Sequence, residues 1–204
     1  DMRGTHMSRF VECLHTLGPV GLVEIESILD KLKAHLQAQK AFMQLKFPYF
    51  ITKEAPVSKM QAPMDIDCIY KAEKGEKFKL RIEAVVPMQT LCPCSKEISD
   101  YGAHNQRAWA KIAIEANDMV WLEELAAMAD EAASAPVYGL LKRPDEKYVT
   151  EKAYDNPRFV EDAVRELALL LDADKRIVWY RAEVESQESI HNHNAFAVVE
   201  KGER

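Results

Sequence analysis

No run of about 18 apolar residues occurs in the chain, so a membrane-spanning helix is excluded. Neither a basic start nor the apolar core of a signal peptide is found among the 204 residues, and a cytoplasmic location is the expectation. Positive charge is also short. Lys and Arg number 27 against 33 Asp and Glu, a formal charge of −6. A general nucleic-acid binder needs a basic footprint to neutralise phosphates, so that class is set aside. Any anionic ligand must then meet a local cluster of cations. Cysteine is scarce as well: Cys13, Cys68, Cys92 and Cys94 read as free thiols or ligands rather than as a disulfide framework. There is no internal repeat and no low-complexity segment. The one linker-like stretch, 53–63, places a domain boundary near residue 60.

What is present is enough for a core. With 48% hydrophobic and 29% charged residues, the chain is globular, as one domain or two small ones. Between residues 21 and 38, Leu22, Ile25, Ile28, Leu29, Leu32 and Leu36 recur at steps of three and four, which is one face of a helix. The aromatic and β-branched stretch 41–53 reads as a strand, and Pro48 inside it favours an edge or a bulge. Two extended runs at 65–72 and 78–87, separated by a Gly-containing turn, form a hairpin. Further strands are expected at 106–115, 175–185 and 195–200, with helices at 119–133 and from Asn156-Pro157 to about Asp172. From residue 64 onward the expected order is strand, strand, strand, helix, helix, strand, strand. Such a pattern is an α+β layer with open sheet edges, for which homo-oligomerisation is a natural remedy.

Chemistry concentrates in two segments. In the first, residues 91–107 (LCPCSKEISDYGAHNQR) form a polar loop in which Cys92 and His104 are separated by eleven residues, a span that can close around one metal ion. Thiolate plus imidazole suits zinc, iron or manganese. A third ligand must come from elsewhere, leaving a position for water, as in a catalytic rather than a structural site. The competing reading is two small buried thiols and a satisfied loop histidine. In the second segment, 188–194 (ESIHNHN), an extended chain places His191 and His193 on one face beside Glu188, fit to bind metal or move protons. An exposed polar strand entry is the alternative. On position alone Glu146, Glu151, Glu161 and Asp162 read as solvated charges.

Three stretches together resemble the type IB GTP cyclohydrolase family: RGTHMSRF at 3–10, the 91–107 segment, and ESIHNHN at 188–194. The stretches APVS at 55–58 and YDNPRFVED at 154–162 also fit, so the resemblance spans nearly the whole chain. It implies the tunnelling fold in two tandem modules: residues 1–60 as an incomplete N-terminal module and 61–204 as a C-terminal module carrying the metal site. It further implies a homotetramer with active sites between subunits.

The implied activity is hydrolytic opening of the guanine imidazole ring of GTP, giving 7,8-dihydroneopterin triphosphate and formate, at the start of tetrahydrofolate and queuosine-type biosynthesis. Carried over residue by residue, Cys92, His104 and Glu146 would be metal ligands, with Glu151 as the competitor for the third place and Glu188 joining or approaching the metal. Cys94, Glu161 and His191 would bind the base and transfer protons. The metal would be manganese or ferrous iron, with zinc a further candidate, and no organic cofactor is implied. Arg3, Arg9, Lys96 or Arg107 would meet the triphosphate. Two alternatives stand beside this reading: another purine or pterin enzyme of the same fold, and a non-catalytic metal- or nucleotide-binding oligomer.

Overall fold

The computed structural model describes residues 7–15 and 20–202. Arg3 lies outside them, as does the side chain of Arg9. In chain order the elements are α1 (Met7–His15), α2 (Ile25–Leu36), β1 (Ala41–Glu54), β2 (Gln61–Lys74), β3 (Phe78–Leu91), α3 (Pro93–Ile98), β4 (Asn105–Ala116), α4 (Leu122–Ala132), β5 (Ala135–Pro136), α5 (Arg143–Asp155), α6 (Val160–Ala173), β6 (Ile177–Ser186) and β7 (Ala195–Lys201). All seven strands join one sheet of order β1-β2-β3-β4-β6-β7, with the short β5 paired to β3. The pairs β3–β4, β4–β6 and β6–β7 are antiparallel, and helices layer on the sheet to give the α+β architecture expected of the chain.

Two compact units are distinguished. The first comprises 1–45 and 69–81, the second 46–68 and 82–204, so the boundary expected near residue 60 falls in the turn between β1 and β2, inside the second unit. In the first unit Ile25, Leu29 and Leu32 project from α2 against Ala41 and Ala72, which is the apolar stripe the spacing calls for.

The second unit holds the larger core. On α6, Val160, Ala163, Val164, Leu167, Ala168 and Leu171 are all buried, and the helix packs on β6, β7 and α4. Trp179, Ile112, Ile114, Leu125 and Val184 are fully enclosed there.

Three helices begin in the same way. An acid in the first turn accepts a hydrogen bond from the backbone N–H just before the helix: Glu124 from Trp121 (2.8 Å), Asp145 from Lys142 (2.8 Å) and Asp162 from Phe159 (3.1 Å). Each satisfies an N–H the helix leaves unpaired and sets a negative charge at the positive end of its dipole.

The helical content exceeds the expected order. Residues 91–107 are not a plain loop, because a short helix, α3, starts directly after Cys92. The stretch holding Glu146 and Glu151, where the sequence pattern predicts no helix, is the thirteen-residue α5. Only Asp145 and Ala153 of α5 are buried, so it lacks the apolar stripe by which helices are recognised from sequence.

Candidate active site

Strand β3 ends at Leu91, and the chain turns through α3 and returns as β4. The base of this excursion is closed by Cys92 N–H donating to His104 C=O at 3.1 Å. Inside it Ser95 is the clasp. Its hydroxyl donates to Cys92 C=O (3.1 Å) and accepts from His104 N–H (3.2 Å), while its own N–H donates to Cys92 Sγ (3.4 Å). Gly102, at φ 109°, takes a conformation few other residues adopt and lets the chain reverse ahead of His104. Cys92 and His104, with eleven residues between them, are thereby fixed side by side in the backbone.

A cavity of about 300 Å³ opens beside them, lined among others by Thr90, Cys92, Cys94, His104, Arg158, Glu161, Glu188 and His191. Every lining residue lies in the second unit. The α6 start reaches this place because Arg158 N–H donates to Leu91 C=O (3.0 Å) and the Asn156 amide donates to Ala133 C=O (3.0 Å). Glu161 then stands in the first turn of α6, where the helix dipole favours a carboxylate. Phe159 adds an apolar wall.

Gln106 ties the polar floor together. Its Nε2 donates to Glu188 Oε1 (3.2 Å), which fixes the amide orientation because a carboxylate only accepts. Gln106 Oε1 therefore faces His104 Nδ1 (2.9 Å), so Nδ1 holds the proton and Nε2 keeps its lone pair. Ser189 Oγ lies 3.2 Å from the same Nδ1, and the Ser186 hydroxyl donates to Glu188. This outer support is of the kind that orients a metal-binding imidazole.

Of the expected metal ligands, Cys92, His104 and Glu188 share the cavity and Glu146 does not line it. Glu146 is on α5, half-exposed and paired with Arg143 at 3.2 Å, and Glu151 pairs with Lys147 at 2.9 Å. Among the described residues no three Cys, His, Asp or Glu side chains are gathered as a metal-holding group. The donor chemistry still fits a divalent ion: a sulfur, a free imidazole nitrogen and a carboxylate border one space, and the imidazole is already in the right tautomer. Cys94, Glu161 and His191, expected around the base, all line the cavity. The 188–194 segment is bent rather than extended, yet the rings of His191 and His193 stack with centroids 5.1 Å apart.

The triphosphate candidates fare differently. Lys96 donates to Tyr154 C=O (2.5 Å) and sits over the Tyr154 ring, and neither it nor Arg107 lines the cavity. Arg158 does, held by Asn156 Oδ1 (3.3 Å) and Glu166 (3.4 Å). Arg158, Phe159, Thr90 and Gln106 went unread as site residues in the sequence. Arg158 and Phe159 were within reach, since they directly precede Glu161 at a helix start; the other two depend on cross-strand register.

Comparison with known proteins follows the same line. The family described as Type I GTP cyclohydrolase folE2 matches residues 1–197. GTP cyclohydrolase FolE2 of Caldicellulosiruptor saccharolyticus is 58% identical over 200 residues, covering 98% of this chain and 78% of the relative. The protein of the same name from Thermotoga maritima is 55% identical over 203 residues, covering 100% and 78%. Among solved structures, the urate oxidase of Bacillus sp. TB-90 superposes with a TM-score of 0.50 at 7% identity, over 96% of this chain and 77% of that one. A highly active BTUO mutant gives 0.52 at 8% identity, over 96% and 76%. These last likenesses are of fold alone.

Proposed function

The chain belongs to the type I GTP cyclohydrolase folE2 family, and from that premise we propose that this cavity opens the guanine imidazole ring of GTP to yield formate and 7,8-dihydroneopterin triphosphate. The observation that supports this most is the gathering of Cys92, His104, Glu161, Glu188 and His191 around one space of base-and-sugar size.

Each side chain has a task the chemistry requires. Glu161 accepts from guanine N1–H and the 2-amino group, a pair of parallel donors that matches one carboxylate. The Phe159 ring offers the flat base an apolar wall. Water adds at C8, the C8–N9 bond breaks, and a second water releases C8 from N7 as formate. His191 is the group suited to deliver protons to N9 and N7, since it lines the cavity and an imidazole can both give and take a proton. Cys94, in the first turn of α3, borders the same region and assists base binding and proton transfer. The ribose rearrangement and reclosure that follow return one water and need positioning with acid–base help. Arg158 supplies positive charge within the cavity.

Cys92 and His104 would hold a divalent ion, with Glu188 near it and Glu146 as the expected third ligand. When bound, such an ion supplies Lewis acidity that makes water a competent nucleophile at neutral pH. Manganese or ferrous iron is our first reading and zinc the next, the donor set suiting all three. We also read the chain as a cytoplasmic enzyme of tetrahydrofolate and queuosine-type synthesis. A homotetramer is part of this reading, supported by apolar side chains exposed on both end strands: Phe42 and Phe50 on β1, Phe196 and Val198 on β7.

The test is to incubate the reduced protein with GTP and manganese, ferrous iron or zinc, following formate alongside pterin fluorescence after oxidation. The two products should appear together and both be lost in Cys92→Ala and His191→Ala. GTP binding with neither product under any metal would reject the reading.

A further inference from the structure

Thr90 is the residue of the cavity wall whose chemistry is unspent. It is only 1% exposed, and its hydroxyl has no hydrogen-bond partner among the described residues. A buried hydroxyl without a partner costs stability, which a fold does not keep without some return.

Its neighbours do not supply the missing partner. In the β3–β4 register Thr90 lies directly opposite Gln106, so the two side chains share one face of the sheet. The Gln106 amide, however, is committed to His104 and Glu188. The nearby Ser134 hydroxyl accepts from Leu91 N–H (3.1 Å), and Ser186 is engaged with Glu188. The polar groups of this floor thus satisfy one another and leave Thr90 to whatever enters the cavity.

We infer that Thr90 is a substrate-contacting residue, its hydroxyl donating to an acceptor on the purine base. This rests on the proposed GTP reading and adds a contact to it. The base is the fitting part of the nucleotide. With Glu161 on N1–H and the 2-amino group, the edge bearing O6 and N7 has acceptors only, and a hydroxyl can donate to either. A triphosphate, by contrast, calls for cations and water, neither of which a fully buried threonine on the sheet floor offers.

The isosteric Thr90→Val separates this role from a structural one. Without nucleotide, Thr90→Val should unfold thermally at or above the wild-type midpoint, because an unpaired buried hydroxyl is replaced by a methyl group of the same shape. Its kcat/KM for GTP, read by formate release, should fall roughly 5- to 10-fold, and Thr90→Ser should recover most of it. Two results overturn the inference: a valine variant that turns over GTP like the wild type, or one that melts well below it, which would show that the hydroxyl is used internally. A wild-type protein releasing no formate would instead fail the GTP reading itself, and this contact with it.

Discussion

Gln106 is the residue that fixes the tautomer and ring orientation of His104, the histidine proposed as a metal ligand. Without its Oε1, the Ser189 hydroxyl is the one remaining partner of Nδ1 among the described residues, and both tautomers and rotations of the ring become available. Gln106→Leu should therefore weaken metal binding by roughly 10- to 100-fold, with little change in the thermal midpoint of the metal-free protein. Titration with cobalt(II), followed by thiolate-to-metal absorbance, reads this directly; an unchanged affinity would mean that the amide is incidental. At this scale the sequence was partly legible. Cys92, Cys94, His104, Glu188 and His191 could be named as candidates from side-chain chemistry and spacing, and Glu161 from the family resemblance alone. Gln106 and Thr90 could not, since an amide and a hydroxyl are common on strands, and it takes the register of β3 on β4 to set them beside one another.

Among the elements, α5 shows what the hydrophobic pattern conceals. It buries two side chains, and one is a carboxylate: Asp145 accepts from Lys142 N–H, Val57 N–H and Ser58 N–H, each at 2.8 Å, and so pins the helix start to the turn after β1. Burial alone would raise its pKa, but these hydrogen bonds outweigh that and hold the carboxyl well below the usual 3.8. Because the folded value lies below the unfolded one, the stabilisation is complete above about pH 4 and drains away as pH falls further. Asp145→Asn should thus be less stable than the wild type at pH 7, and the gap should narrow on acidification toward pH 3, as urea midpoints at the two values would show. A gap constant with pH would remove the carboxylate from the account. The helices α2, α4 and α6, by contrast, were readable because their apolar stripes meet a core, and the strands because alternation survives even on the end strand β1, where Pro48 sits as an edge residue should.

For the molecule as a whole, the α+β layering and most of the strand order followed from the sequence, because the order of periodicities restricts the ways in which apolar faces can be covered. What could not be read is the cavity, which draws on the ends of β3, β4 and β6 and the start of α6, segments far apart in the chain that only the folded sheet brings together. In the proposed reaction, C8 of guanine is the carbon expelled. The most direct measurement is carbon-13 NMR of GTP labelled at C8, incubated with the reduced, metal-loaded protein. The label should leave the purine entirely and appear as free formate. Label retained in an intact purine, under conditions where the nucleotide is bound, would contradict it.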